Sequence, residues 1–280
     1  MKQIPIGIEN FKELIDKDYY YVDKTLFISD VLKEKVALCT RPRRFGKTLN
    51  MSMLYYFFSI RQADNAYLFD GLEISKNKEA MQYQNQYPVI FMSLKDLKDL
   101  SFQDQLNNFQ IILSEIISRN QELLISEHLD EMDRDLLKRY KTGTVNKAQL
   151  QNGLRFISSC LEKHWKKKVV LLIDEYDVPL QSAYLNGYYD DMVFFLKNML
   201  SAALKTNDAL EKGILTGCLR IARESTPLAG FSLFTGLNNF KVITIFDDTS
   251  NQQFGFTQKE MDSLLSDYQA EAYRDKVKEW

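Results

Sequence analysis

The sequence predicts an α/β fold in which a mostly parallel β-sheet lies between two layers of helices. Two observations support this fold class: continuous apolar runs, typical of strands buried on both faces, and their alternation with segments of helical periodicity. The apolar runs are residues 36–40, 88–94, 169–173, 213–218 and 241–246. Strands that alternate with helices favour a parallel sheet whose ligand site lies beyond the carboxyl ends of the strands.

The helical segments fill the intervals between these runs. Apolar residues recur at three- and four-residue spacing, and Thr257-Gln258-Lys259-Glu260 has the pattern of a capping box that begins a C-terminal helix. The predicted helices are 8–15, 26–33, 49–58, 102–140 (ending at Thr142-Gly143-Thr144), 147–165, 190–204 and 257–280.

Two stretches are less regular. Residues 19–22 are Tyr-Tyr-Tyr-Val, which is β-prone, and we favour a packed edge strand over a surface that stacks on a nucleobase. The polar stretch 61–87 is predicted to be a connection with a short turn at 68–72.

Composition argues against a nucleic-acid-binding protein of high positive charge, a disulfide-bonded secreted protein and a membrane-spanning protein. The chain has 280 residues, 45% of them hydrophobic, and a net charge of -2, which gives no global attraction to nucleic acid or to anionic membranes. The three cysteines lie far apart in sequence, as expected of reduced thiols in a cytoplasmic protein. Neither a membrane-spanning run nor a secretory signal is found, so no membrane partner is expected.

Residues 41–48, Arg-Pro-Arg-Arg-Phe-Gly-Lys-Thr, follow the first strand and open the next helix, which is the layout of a phosphate-binding loop. Amides at a helix start favour an anion, so we expect Arg44, Phe45 and Gly46 to line a phosphate. Lys47 can reach the β- and γ-phosphates, and the hydroxyl of Thr48 can bind Mg²⁺.

The match to the usual G-x-x-x-x-G-K-[ST] pattern is incomplete. Arg41 replaces the first glycine, and Pro42 removes one N–H donor. We expect Arg41, Arg43 and Arg44 to add positive charge beside the phosphates. The alternative is a basic surface turn that contains Gly-Lys-Thr by chance.

Asp174 and Glu175 supply the acids that such a loop requires, because they end the third apolar run. Asp174 suits a metal-binding role and Glu175 that of a base that activates water, which favours hydrolysis over phosphotransfer. The alternative is a pair of exposed acids at a strand end.

Thr216 and Arg220 follow at the fourth strand. Thr216 could sense the γ-phosphate, and Arg220 could neutralise charge in the transition state. The alternative is a surface ion-pair cluster formed by Arg220, Arg223 and Glu224.

Taken together, these motifs resemble those of the predicted AAA-ATPase-like family of bacteria over essentially the whole chain. The motifs that carry the resemblance are Pro5-Ile6-Gly7 with Phe11, Tyr20-Tyr21-Val22-Asp23-Lys24-Thr25, the loop 41–48, the stretch 172–180, Thr216-Gly217-Cys218-Leu219-Arg220, Gly236-Leu237-Asn238-Asn239 and Phe254-Gly255-Phe256-Thr257. The missing first glycine is then a family trait.

The resemblance implies a P-loop NTPase fold of the additional-strand, catalytic-glutamate division, with ATP and Mg²⁺ as ligands. It implies Lys47 and Thr48 on phosphate and metal, Asp174 as the metal acid and Glu175 as the catalytic base. The choice of adenine rests on the resemblance alone, since no base-reading motif is present. Family members usually carry a further domain resembling PD-(D/E)xK nucleases, which we expect this sequence to lack.

For domain organisation, we predict an N-terminal adaptor (1–35), a P-loop ATPase core (36–250) and a C-terminal helical segment (251–280) that begins a lid or linker. Residues 226–232 look inserted relative to the family, shortly after Arg220 and Arg223.

From the sequence we therefore predict an ATPase whose hydrolysis drives a conformational change. Coupling of this change to a nucleic-acid-processing domain is a further hypothesis. The alternative is a nucleotide-gated binding module with negligible turnover, which would recognise partners through residues 102–165. A third hypothesis is direct nucleic-acid binding through Arg41, Arg43 and Arg44, which the net charge disfavours. A homo-oligomer is compatible with all three.

Overall fold

The computed structural model of the chain describes residues 1–218, 240–244, 247 and 250–278. Its centre is a five-stranded sheet in which every neighbouring pair is parallel. The strands are β1 (Val36–Thr40), β2 (Val89–Ser93), β3 (Val169–Asp174), β4 (Leu210–Gly217) and β5 (Phe240–Ile243), in the order β2-β3-β4-β1-β5. The parallel sheet predicted from the apolar runs is confirmed.

The strand register places the ends of the three site-bearing strands side by side. Thr40 at the end of β1 lies opposite Gly217 of β4, and Asp174 at the end of β3 lies opposite Ser93 of β2. Strand β4 lies between β1 and β3, which agrees with the additional-strand division that the resemblance implies. The loop after β1 therefore faces the acids after β3 across the end of one strand.

Helices and short 3₁₀ segments connect the strands. The α-helices are α1 (Phe11–Asp16), α2 (Phe27–Leu32), α3 (Lys47–Phe58), α4 (Lys78–Met81), α5 (Phe102–Arg119), α6 (Glu131–Thr142), α7 (Lys147–Trp165), α8 (Val178–Asn186), α9 (Tyr189–Leu204), α10 (Gln258–Asp267) and α11 (Arg274–Lys278). The 3₁₀ helices are Ile60–Phe69, Glu73–Lys76, Gln121–Ile125 and Glu271–Tyr273.

The two faces of the sheet carry separate apolar clusters. On one face, Val36 and Leu38 of β1 pack with side chains of α5, α7 and α9. On the other face, Ala37 and Cys39 pack with side chains of α1, α2 and α3. This alternation along one strand gives the three layers that the sequence predicts. Burial also raises the pKa of the Cys39 thiol to about 12, so this thiol stays neutral in the core.

Several stretches differ from the sequence predictions. Residues 19–22 are not a strand, and among the described residues no strand pairs with them. Tyr20 instead donates its hydroxyl to Asp267, and its ring contacts that of Tyr268. The stretch 61–87 is largely 3₁₀ helix and α4, because residues such as Phe69 and Ile74 turn into the core. The helix predicted at 102–140 is divided into α5, a 3₁₀ helix and α6.

The capping box of the C-terminal helix is confirmed, with Thr257 and Glu260 each bonding the backbone of the other. The single helix predicted over 257–280 is wrong, since α10 ends at Asp267 and is followed by a 3₁₀ helix and α11. Within the part of the chain that the structure describes, no helix combines the length and apolarity needed to cross a bilayer.

Candidate functional site

The loop between β1 and α3 forms a concave stretch of backbone. Arg44 and Gly46 have positive φ angles of 68° and 75°, and Gly46 is the residue that precedes the first turn of α3. Left-handed residues within such a turn aim successive backbone N–H groups into one concavity, which is a common anion site. The first amide that bonds within α3 is that of Asn50, which donates to the Gly46 carbonyl at 3.0 Å. The amides of the first turn of a helix have no acceptor within the helix, so they are available to a ligand in the loop.

Gly46 is required by backbone conformation rather than by space. A Cβ built on this residue would meet no atom within 4 Å, so room for a side chain exists. Its φ angle of 75° lies in the left-handed region, which side chains other than glycine rarely adopt.

Lys47 is folded back onto its own loop. Its Nζ donates to the carbonyl oxygens of Arg41 (3.2 Å) and Pro42 (3.0 Å), and it lies 3.3 Å from Sγ of Cys218. The side chain is 5% exposed. An anion in the loop would compete with these neutral acceptors for the ammonium group.

Asp174 connects three parts of the site. Its Oδ2 accepts a hydrogen bond of 2.8 Å from the Thr48 hydroxyl, and its Oδ1 accepts one from the Thr216 hydroxyl. The carboxylate is fully buried. The structure therefore brings together the first turn of α3, the end of β3 and the end of β4, with oxygen atoms of the kind that Mg²⁺ prefers.

Glu175 lies where β3 turns away from the sheet. Its φ angle of 53° is left-handed, so its side chain no longer follows the alternation of the strand. Burial raises the pKa of its carboxyl group, and the neighbouring Asp174 raises it further, against the opposing effect of Lys47. Glu175 thus lies within electrostatic reach of both residues.

Arg41 is not beside the proposed phosphates, contrary to the sequence-based expectation of three added charges. Its guanidinium group is buried beneath the loop, where it donates to the carbonyl oxygens of Thr40, Ile243 and Ser250. Burial lowers the pKa of this group. Arg43 and Arg44 are exposed, so two of the three arginines stay on the surface of the loop.

Sequence reasoning missed Asp177 and Cys218. Asp177 is 1% exposed, and its Oδ2 accepts hydrogen bonds from the Cys218 amide (3.1 Å) and from Nε2 of Gln181 (2.8 Å). It thereby fixes the turn after β4 that places Cys218 beside Lys47. An acid three residues beyond Asp174, within a predominantly apolar stretch, was the available signal.

Two further predictions cannot be compared with the structure. Arg220, with Arg223, lies outside the described residues, and so does the segment 226–232 that looks inserted.

A cleft of about 580 Å³ adjoins the site and was not predicted. Thr48 and Ser52 of α3 line one side, Phe91 and Ser93 of β2 line its base, and α5 forms the opposite wall. Strand β2 is an edge strand, so the cleft runs along one edge of the sheet toward Thr48.

Comparisons with known proteins add family information. A family model described as "Predicted AAA-ATPase" matches residues 5–226. The chain is 26% identical over 289 residues to an "Uncharacterized protein in vnfD 5'region" of Azotobacter chroococcum mcd 1. The match covers 100% of this chain and 48% of that protein, so the chain spans about half the length of the curated relative it matches. No solved structure matches the chain.

Proposed function

The chain belongs to the predicted AAA-ATPase family, and from this premise we propose that it binds ATP with Mg²⁺ at the loop 41–48 and hydrolyses it. The observation that carries the proposal is the 2.8 Å hydrogen bond between Thr48 and Asp174, which joins the loop to the acidic strand end. An isolated basic turn would not require a buried carboxylate at this position.

The loop supplies the groups that bind the triphosphate. Amides of residues 44–48 would donate to the phosphate oxygens, and the positive end of the α3 dipole would favour their charge. Lys47 would exchange the carbonyl oxygens of Arg41 and Pro42 for phosphate oxygens. This exchange is favourable because a hydrogen bond between two charged groups is stronger than one to a neutral carbonyl.

The oxygen donors around Asp174 fit a magnesium ion. The Thr48 hydroxyl and the buried Asp174 carboxylate would hold it, with Thr216 retaining its bond to the second carboxylate oxygen. When bound, Mg²⁺ neutralises charge on the β- and γ-phosphates.

Glu175 is the residue that we assign to water activation. Water would attack the γ-phosphorus as the bond to the ADP oxygen breaks, and the water proton would pass to the Glu175 carboxylate. We also propose that Thr216 senses the γ-phosphate through Asp174, and that Arg220 contributes positive charge.

The test compares ATP turnover and ATP binding in the wild type, Glu175→Gln and Lys47→Ala. Glu175→Gln should lower turnover by about 10²- to 10⁴-fold while it keeps ATP affinity, because it removes a general base and leaves the loop intact. Lys47→Ala should lose binding. Equal phosphate release by the wild type and Glu175→Gln would remove Glu175 from this role.

The cleft favours one alternative function, a nucleotide-gated binding module. Thr48 lines both the proposed metal site and the cleft, and α5 contributes the half-exposed Ile111 to the opposite wall. A partner in the cleft would therefore contact the residue that responds to nucleotide. Tight ATP binding by the wild type without turnover would support this alternative over the ATPase.

Partners beyond ATP are further proposals. We propose that coupling to a nucleic-acid-processing domain, and assembly into a homo-oligomer, are properties of longer proteins of this family. Direct nucleic-acid binding through the loop is less favoured, because the buried Arg41 cannot reach a phosphate backbone.

A further inference from the structure

Arg41 occupies the position at which the usual phosphate loop has its first glycine, yet it is 2% exposed. Its Nη1 donates to the carbonyl oxygens of Thr40 (2.9 Å) and Ile243 (3.0 Å), and its Nη2 donates to that of Ser250 (3.1 Å). The guanidinium carbon lies 4.8 Å from the ring centre of Phe254. One side chain at the start of the loop thus contacts β5 and a segment about 200 residues further along the chain.

We call residues 250–260 the C-terminal strap, and it makes two more contacts with the loop region. Nδ2 of Asn50, in the first turn of α3, donates to the Gln253 carbonyl at 2.8 Å. The Gly255 amide donates to the Phe45 carbonyl at 3.2 Å. The contact is close, since a Cβ on Gly255 would lie 2.9 Å from the Phe45 ring.

The strap is itself anchored to the N-terminal part of the chain. Lys24 donates to the Gln252 carbonyl and forms an ion pair with Glu260, both at 2.6 Å. The Phe254 ring packs edge-on against Phe27, with ring centres 4.9 Å apart. These contacts hold Phe254 against the guanidinium group of Arg41.

A buried guanidinium group stays in place only if its donors remain bonded, because an unpaired charge is costly away from water. Nη1 and Nη2 of Arg41 donate to carbonyl oxygens that belong to β5 and to the strap as well as to its own strand. Undocking the strap would remove the Ser250 carbonyl and the Phe254 ring together. The conformation of the loop is therefore coupled to the docking of the strap.

We propose that Arg41 is a positioning residue that fixes the phosphate loop to the C-terminal strap, so that the affinity for ATP depends on the docked strap. This inference rests on the proposed function. Because coupling between two equilibria is reciprocal, ATP in the loop tightens the docking of the strap.

The experiment measures ATP affinity and amide hydrogen exchange in the wild type, Arg41→Gln, Arg41→Lys and Arg155→Gln. Arg155→Gln is the charge-matched control, since it removes an exposed arginine of α7 that lies outside the proposed ATP site. Arg41→Gln should raise the Kd for ATP about 10- to 100-fold, the size of a typical coupling, whereas Arg155→Gln should stay within about threefold. Arg41→Lys should recover part of the affinity, because an ammonium group can still reach some of the carbonyl oxygens.

Hydrogen exchange separates positioning from a general loss of fold. Without nucleotide, Arg41→Gln should speed exchange of amides in 43–48 and 250–256 and leave those of β3 unchanged. With ATP, the wild type should slow exchange in 250–256, and Arg41→Gln should lose this response. If Arg41→Gln fails to fold, the same measurements are made on Phe254→Leu, which weakens the contact between Arg41 and the strap from the strap side.

Two results would overturn the inference: equal Kd values for Arg41→Gln and Arg155→Gln, or unchanged exchange of the loop in Arg41→Gln without nucleotide. A wild type that binds no ATP would instead refute the proposed function. The exchange measured without nucleotide would still decide whether Arg41 couples the loop to the strap.

Discussion

Residues at the site hold conformations that their side chains do not favour. Arg44 and Glu175 both have left-handed backbone angles, with φ of 68° and 53°. For residues other than glycine this conformation costs about 1–3 kcal/mol and is maintained by surrounding contacts. Glu175 adds an electrostatic cost, because burial and Asp174 both disfavour its charged form.

This cost predicts that Glu175→Gln stabilises the fold at neutral pH. The raised pKa means that the folded protein disfavours the charged carboxylate, and a neutral amide removes that penalty. We expect the melting temperature to rise by about 1–3 °C. The difference should shrink as the pH falls through the raised pKa of Glu175, and it should be lost below the ordinary pKa of a glutamate, where both side chains are neutral. Thermal melts at neutral and at acidic pH measure this difference; a variant that is less stable at neutral pH would contradict the prediction.

At the residue scale, the sequence predicts where a residue lies in the fold better than it predicts which way its side chain points. The order of Lys47-Thr48 and Asp174-Glu175 sufficed to place them at one edge, because parallel strands end together. The direction of Arg41 could not be foreseen, since its acceptors belong to residues about 200 positions away. The roles of Lys47, Asp174, Glu175 and Thr216 stay predictions.

At the element scale, the close approach of β4 to the turn after β3 matters most. The Tyr176 amide donates to the Thr216 carbonyl at 3.1 Å, and its ring covers Gly217. A Cβ at Gly217 would lie 2.6 Å from Cε1 of Tyr176 and 2.7 Å from Oδ1 of Asp177. The absence of a side chain at Gly217 lets the two site-bearing strands meet.

Gly217→Ala should therefore destabilise the protein by about 1–3 kcal/mol, the usual cost of overpacking. The matched control is Gly213→Ala on the same strand. There a Cβ would meet chiefly Cδ2 of Leu204, the flexible end of a side chain that can shift. Denaturant unfolding of both variants gives the comparison. If Gly217→Ala lowered the free energy of unfolding less than Gly213→Ala does, the ring of Tyr176 would have to move aside at little cost, contrary to the prediction.

The elements themselves were predictable where burial alone decides them. The strands are continuous apolar runs, so the sequence places β1, β2 and β3 within one or two residues. The 3₁₀ helix Ile60–Phe69 was not predictable, because four polar residues interrupt its apolar ones and only its last two residues are buried. The run at 19–22 has strand propensity without a partner strand, and tertiary contacts decide its conformation.

At the scale of the whole molecule, one ion pair connects segments that are 236 residues apart. Lys24 and Glu260 have side chains that are 9% and 25% exposed. Burial acts to raise the pKa of Glu260, but the hydrogen bonds from Lys24 and Thr257 outweigh it and hold this pKa below its ordinary value. The pair therefore stabilises the docked strap above the ordinary pKa of a glutamate.

Glu260→Gln should cost about 1–3 kcal/mol at neutral pH, because Lys24 would lose its charged partner in a largely buried position. The amide can still accept the Thr257 N–H, so the helix cap is kept. Because Glu260 has a lowered pKa in the folded state, the difference from the wild type should vanish as the pH falls through that value.

The control is Glu73→Gln, which breaks an exposed pair with Lys76 and should change stability by less than about 0.5 kcal/mol. Thermal melts of both variants at neutral and acidic pH provide the measurement. Equal effects of the two substitutions would mean that the Lys24 pair contributes no more than a surface contact.

The strand order also has a consequence for how the chain is made. Strand β1 is complete at Thr40, yet its two neighbours in the sheet are Leu210–Gly217 and Phe240–Ile243. A ribosome therefore synthesises the lysine and threonine of the loop long before the strands that support them. Pairings of such large sequence separation close slowly. The first strand of the nascent polypeptide must therefore stay unpaired, and in need of protection from aggregation, until β4 has emerged.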